Sequence, residues 1–318
     1  MTREPALPGE AASGSPPDLG FQKRQARKGG VGSHVGGTGL TIPAVFIVCA
    51  LLLVPIVQAI YYSMTSWNGI TSTWVGPRAY AQLLGSSLFW RVLENNGILL
   101  CAVPVTVASG LVIAVLLNER VPGWRLFRSA IIIPTAVSWV VLGVVGIQAF
   151  ASHGVINTVL RSAGMPGLAH NWLASPMSAI LSVAVTFVYS LVGINTLIFT
   201  TGMSTVDPAI YEAAKLDGAG AARTLVHITV PLLRRYFQFA FVVTVISAFS
   251  ALFSLIFTMT GGGPDYGTTT IEFFIYEKAF ATGDFGTGAM LGVILFIMLA
   301  GITALQVRIL WRGDNEEG

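Results

Sequence analysis

Residues 208–220 read PAIYEAAKLDGAG. Glu212, Lys215 and Asp217 stand here among alanines, between apolar runs at 178–201 and 236–257 that hold no Asp, Glu, Lys or Arg. A segment this charged does not enter a lipid core, and its side chains are too small to build a large core of their own. It is a connection outside the membrane, and the side it faces sets the topology of the chain.

Its local structure follows from its ends. Asp207 before Pro208 predicts a helix start: a capping carboxylate, then a residue that has no amide to satisfy. Gly218 predicts the stop, because glycine accepts a left-handed conformation. The helix between them is about ten residues, or roughly 15 Å, long. A second helical stretch, AARTLVHITV, leads to Pro231. Ala213 and Ala214 would let another surface approach the backbone closely, while Glu212, Lys215 and Asp217 keep the helix out of lipid. A docking element would be built this way. The plainer reading is a short surface helix on which Glu212 and Lys215 form an i,i+3 pair.

Working outward, the chain has 318 residues, 53% hydrophobic and 10% charged. An ordinary globular domain carries about 25% charged residues, so membrane integration is the default reading. The net charge of +3 comes with no dense Lys/Arg stretch interleaved with aromatics, which speaks against a nucleic-acid partner. Cys49 and Cys101 lie inside apolar runs and read as buried small hydrophobes rather than a disulfide or zinc pair.

Six stretches meet the rough requirement of 17–25 mainly apolar residues for a spanning helix: 40–62, 97–118, 130–150, 178–201, 236–257 and 287–308. None holds an acidic or basic residue before Arg308, and Pro55, Pro104 and Pro134 should kink the first three. Residues 1–39, rich in Gly, Pro, Ser and basic residues, read as a disordered tail that could touch anionic lipid. The first apolar run begins too late for a cleaved signal peptide and reads as a signal anchor. The membrane domain is then 40–312, with a short C-terminal tail at 313–318.

Counting Lys and Arg in the connections orients the chain. With the N-terminus cytoplasmic, the inner side wins by nine to four even without the tail. Both termini, and the opening segment between spans four and five, are then cytoplasmic. Trp67, Trp74 and Trp172 fall near outer ends of spans, and Trp124 and Trp311 near inner ends, as interfacial anchors.

No phosphate-cradling G-x-x-x-x-G-K-[ST] loop occurs, and GGGP at 261–264 lacks the Lys and Ser/Thr such a loop needs. His34, His153, His170 and His227 are scattered, without ligand-spaced partners, so neither a metal nor a cofactor is expected. GAMLG at 288–292 offers a helix-packing face. The spans present neutral polar and aromatic groups as candidate path residues, foremost Gln148, Tyr189, Asn195, Ser247, Ser250 and Phe253. Amides, hydroxyls and rings suit an uncharged, hydroxyl-rich cargo. Each taken singly is more often satisfied against a neighbouring helix than lining a path; it is as a set that they favour such a cargo.

YEAAKLDGAGAARTLVHITVP (211–231) resembles the EAA loop of ABC-importer permeases, with Glu212, Ala213, Ala214, Gly218, Ile228 and Pro231 in the expected places. AVLLNERVPGWRLFRSAIIIP (114–134), MTGGGPDYGTTTIEFFIYEKAF (259–280) and FGTGAMLGVILFIML (285–299) resemble the sugar-type branch, the permeases of maltose, lactose and glycerol-phosphate importers. Asn95-Asn96 departs from the Asn-Thr often found there, and VVGIQAF (144–150) lacks a tryptophan common near the end of span three. The resemblance implies an all-α polytopic membrane protein of six spans, in the cytoplasmic membrane of a prokaryote. Glu212, Ala213, Ala214, Asp217 and Gly218 would form the coupling interface to the ATPase. The implied partners are a second permease in a heterodimer, two ATPase subunits that bind the ATP, and an extracytoplasmic solute-binding protein. The cargo would be a neutral sugar or polyol, moved by alternating access without covalent chemistry. An ion-coupled secondary carrier is the alternative: the charge-free spans argue against proton coupling, while sodium coupling stays open.

Overall fold

The computed structural model describes residues 32–118 and 123–314. Of the tails expected at 1–39 and 313–318, residues 1–31 and 315–318 lie outside the described residues, while 313–314 belong to the last helix. The chain divides into two units, one up to Val54 and one from Pro55 onward.

In the first unit, the described residues belong to helix α1 (Gly32–Tyr62), which begins inside the stretch expected as tail. Its large apolar side chains from Val45 to Val54 are exposed. The helix continues unbroken through Pro55. Cys49 is exposed, as is Cys101 further on, contrary to the expectation of burial. Cys49 sits on apolar α1 and Cys101 between two apolar helices, so an exposed thiol there needs no aqueous partner.

The second unit opens, past α1, with a hairpin of β1 (Thr65–Trp67) and β2 (Ser72–Trp74), with Thr65 opposite Trp74. Asn68 Oδ1 accepts from the amides of Ile70 and Thr71 at 3.0 and 2.8 Å and closes the turn. Helices α2 (Arg78–Leu84), α3 (Ser87–Leu100) and α4 (Ala102–Asn118) follow. The second span therefore reaches back to Ser87 and takes in Arg91 and Glu94 near its start, so it is charge-free only in its later part. The break at Cys101 has a cause: Pro104 has no amide to offer the Leu100 carbonyl, and its ring crowds that carbonyl.

Pro134 acts more strongly. Helix α5 (Trp124–Ile132) gives way to a 3-10 turn (Ile133–Ala136), and Val137 and Ser138 are extended. The third span thus starts at α6 (Trp139–Phe150) and continues into α7 (Val155–Ser162), rather than running over 130–150. Helix α8 (Pro176–Met203) is the fourth span. The opening segment forms α9 (Pro208–Leu216) and α10 (Ala221–Thr224), then a π-helical turn (Leu225–Thr229) and α11 (Val230–Leu232). Helix α12 (Arg234–Met259) is the fifth span. Helix α13 (Ile271–Tyr276) and a π-helical turn (Glu277–Ala281) precede α14 (Phe285–Asp314), the sixth. Among the described residues, six helices are long and apolar enough to cross a membrane.

The core lies where α4, α6, α8 and α12 meet, with Leu99, Val103, Phe187, Leu255 and Ile256 buried. Lipid tails are as apolar as these side chains, so close van der Waals contact must hold the helices together. Small residues supply it. A Cβ on Gly110 of α4 would stand 2.5 Å from Asn195 Cβ of α8, and one on Gly143 of α6 would stand 2.7 Å from Thr258 Cβ of α12. Of the GAMLG pair, Gly288 packs on Ala279, while Gly292 has nothing within 4 Å.

Candidate functional site

Helix α9 is capped at both ends by its own sequence. Asp207 accepts from the Ala209 amide at 2.9 Å, with Pro208 in the first helical position. At the other end Gly218 is left-handed, with φ of 73°. Its amide donates to Lys215 O at 3.1 Å, and that of Ala219 to Ala214 O at 2.9 Å, the paired bonds of a Schellman motif.

The helix turns two different faces outward and inward. Ala214 is buried against its own chain, whereas Ala213, Glu212 and Asp217 are exposed. Successive helical residues point about 100° apart, so two adjacent alanines cannot serve the same surface. The open face runs through Ala209, Ala213 and Leu216, and Leu216 is 88% exposed. An isolated apolar side chain on a rigid stub, beside an alanine that admits a close neighbour, is suited to insertion into a partner.

On its inner side α9 closes a cleft of about 360 Å³ against the ends of α4 (Val115, Asn118) and α8 (Met203) and against Thr224 and Thr229. Glu212 and Lys215 border this cleft but do not pair; among the described residues the salt bridge is Arg91–Asp265. The Tyr211 hydroxyl is buried there with no hydrogen-bond partner among the described residues.

The candidate path residues separate into two groups. Asn195 is fully buried, its Nδ2 donating to Leu191 O at 3.0 Å and Thr244 Oγ1 at 3.1 Å, which ties α8 to α12. It is a structural bond within the chain and does not line an open surface. Gln148 and Tyr189 are exposed, and Ser247 and Phe253 partly so. Ser250 is exposed but bonded back to Ile246 O at 3.2 Å and Ser247 O at 3.3 Å. Ile246, Ser250, Phe253 and Phe257 fall at alternating four- and three-residue steps and form one stripe of α12. Elsewhere the hydroxyls of Thr106, Ser182, Thr186, Thr196, Thr200 and Thr244 all bond carbonyls four residues back on their own helices.

At the far end of α12 from α9, Asn95 and Asn96 organise the connection to α13. Asn95 Nδ2 donates to the Tyr266 and Thr269 carbonyls at 2.8 and 2.9 Å. Asn96 Oδ1 accepts from the Ile271 amide at 2.8 Å, at the start of α13. Thr268 and Thr269 hydroxyls donate to Gly263 O and Gly262 O at 2.8 and 2.9 Å. The departure from Asn-Thr at 95–96 thus has a use, since the second amide caps α13 while the first holds the loop. Asn157 acts likewise between α7 and α8, donating to His170 O at 2.6 Å and accepting from Trp172 Nε1 at 2.9 Å. Buried asparagines between apolar spans were the available sequence signal for both clamps.

Comparison with known proteins agrees with this architecture. The family described as "Binding-protein-dependent transport system inner membrane component" matches residues 106–310. The sulfoquinovosyl glycerol transport system permease protein SmoG of Agrobacterium fabrum is 29% identical over 280 residues, covering 86% of this chain and 90% of that protein. The diacetylchitobiose uptake system permease protein NgcF of Streptomyces coelicolor is 29% identical over 290 residues, with 86% and 82% covered. The fold matches a crystal structure of a bacterial ABC transporter involved in the import of the acidic polysaccharide alginate, with a TM-score of 0.74, 17% identity, and 89% of this chain and 97% of that one covered. The chain belongs to the family of inner membrane components of binding-protein-dependent transport systems.

Proposed function

We propose that this multi-pass permease subunit of an ABC importer carries a neutral carbohydrate, driven through α9 by a separate ATPase. The observation that carries the driving role is the exposed, doubly capped helix α9 with Ala213 and Leu216 on its open face. Glu212, left without an ion pair to Lys215, offers its carboxylate to a cation on that partner. Asp217 and Gly218 end the helix, and Ala214 seats it on its own subunit. Helix α8 enters the segment and α12 leaves it, so a push on α9 reaches both spans directly. Alternating access then follows from ATPase closure, without covalent chemistry on the cargo. The excess of Lys and Arg in the connections supports a cytoplasmic position for both termini and for α9. The assembly comprises a second permease, two ATPase subunits that bind the ATP, and an extracytoplasmic solute-binding protein. Residues 40–312 act as the transmembrane domain.

The carbohydrate reading draws on the named cargoes of the relatives, which include acidic as well as neutral saccharides. The choice of a neutral one rests on charge. Arg91 pairs with Asp265 at 3.0 Å, and the middle of each described span holds no Lys or Arg to meet an anionic ring. The test is copurification of the permease with its partners, followed by uptake of lactose, maltose, diacetylchitobiose and alginate oligosaccharides in proteoliposomes. Uptake of a neutral sugar, but not of alginate, is expected. Uptake of alginate alone, or of none of the four, would defeat this reading.

A further inference from the structure

Beside the loop held by Asn95, at the end of α12 remote from α9, lies a hollow of about 310 Å³. Its walls include the carboxylates of Asp265 and Glu277, the phenol of Tyr266, and the rings of Phe273 and Tyr276. This pairing of groups is selective. Sugar hydroxyls donate strong, charge-assisted hydrogen bonds to carboxylates, and the apolar face of a sugar ring packs on aromatic carbon. Two carboxylates repel an anion.

Hydrogen bonds and an ion pair brace the walls of the hollow. Asp265 and Tyr266 both adopt left-handed backbone, with φ of 47° and 56°. Residues with side chains hold that conformation only where their surroundings impose it, and here Asn95 bonds the Tyr266 carbonyl at 2.8 Å. Arg91 steadies Asp265 at 3.0 Å, and the Tyr266 hydroxyl donates to Glu277 Oε1 at 3.2 Å. That neighbouring carboxylate holds the Tyr266 phenol above its ordinary pKa, so the phenol stays a neutral donor. Among the described residues, Glu277 Oε2 has no hydrogen bond.

The hollow also adjoins the candidate path. Tyr276 stands 5.6 Å from Phe253 and 5.4 Å from Phe257, centroid to centroid, and those two rings are 5.8 Å apart. Aromatic carbon thus runs without a gap from the hollow to the stripe of α12 that carries Ser250.

We propose that this hollow is a low-affinity subsite for one ring of a neutral saccharide, receiving the cargo at the mouth of the path before it moves onto the aromatic stripe. The proposal rests on the carbohydrate reading above. Glu277 and Tyr266 engage hydroxyls, and Tyr276 supplies the stacking face.

Hydrogen–deuterium exchange of the copurified transporter in lipid nanodiscs, without binding protein, tests the subsite locally. The probes are lactose, maltose and diacetylchitobiose. Peptides covering 261–281 should gain protection in the wild type, half-maximally at millimolar concentration of the transported sugar. Glu277→Gln removes the charged acceptor, and Ala281→Leu fills the hollow from another wall without touching the Tyr266 contact. Each should shift the midpoint at least tenfold, and Ala281→Leu keeps the test valid if Glu277→Gln loosens the loop. Unchanged midpoints in both variants, or no protection in the wild type, would overturn the subsite while sugar uptake still upholds the function. A wild type that imports none of the sugars removes both.

Discussion

Replacing Gly218 by valine isolates the geometry of α9 from its contacts. A Cβ at this position meets nothing within 4 Å, so the substitution introduces no clash. The cost comes from φ, which is 73° and disfavoured by roughly 1–2 kcal/mol for a residue with a side chain. The chain can escape by leaving that conformation, but then it loses the bonds from Gly218 N to Lys215 O and from Ala219 N to Ala214 O. At about 0.5–1.5 kcal/mol each, that escape costs a similar amount. Either route takes about 2 kcal/mol from the capped form, a change of roughly thirtyfold in the ratio of capped to frayed helix ends. Asparagine tolerates left-handed backbone far better than valine. Gly218→Val should therefore lose ATPase copurification and uptake, while Gly218→Asn retains most of both, at equal amounts of permease in the membrane. Loss of function in both variants, or in neither, would refute the idea that this turn positions the docking helix.

Three further outcomes follow from features elsewhere. Burial pushes the Glu272 carboxyl above the usual carboxylate range, and its hydrogen bonds oppose this only in part. The fold then favours the protonated acid, so this stabilising contribution is present at acidic pH and lost as pH rises through the raised value; Glu272→Gln should raise the Tm at neutral pH and flatten its pH dependence, as scanning fluorimetry would show. Gly110→Ala should lower the Tm by several degrees, because its Cβ would press on Asn195 and on the backbone of Asn195–Thr196 at 2.5–3.1 Å, where no flexible side-chain end can yield. A cysteine at Ser162 should react with an impermeant thiol reagent from outside and one at Ala221 should not; the reverse pattern would invert the topology.

The parts of this fold that sequence reveals are those with a single physical cause. Long apolar runs make spans, and Asp207-Pro208 and Gly218 bracket α9 because capping is local chemistry. The ends of spans are harder to see. Arg91, Glu94, Asn95 and Asn96 dilute the apolar signal of α3, although three of the four have uses that only the fold reveals. Pro134 reads as a kink, but whether a proline bends a helix or ends it depends on what receives the freed carbonyls. The hairpin at 65–74 carried a readable sign in Asn68-Gly69, with Gly69 at a φ of 91°. Asn195 and Ala214 show the opposite limit. Composition marks both as candidates for a surface, and only the rotation of their helices shows that they point inward.

The hydroxyls that bond back onto their own helices bear on how long a cargo stays. A group such as Ser250, exposed on α12 and with its proton already given to Ile246 O at 3.2 Å or Ser247 O at 3.3 Å, can still accept from a sugar but has no donor to spare without breaking a bond in its own span. Exchange of one such bond for another releases little free energy. A lining built this way holds a passing ring weakly and lets it go quickly, so the dwell time inside the membrane is short. Discrimination between sugars is then expected to be made before entry, and turnover to be set by the motion of the helices rather than by escape of the cargo.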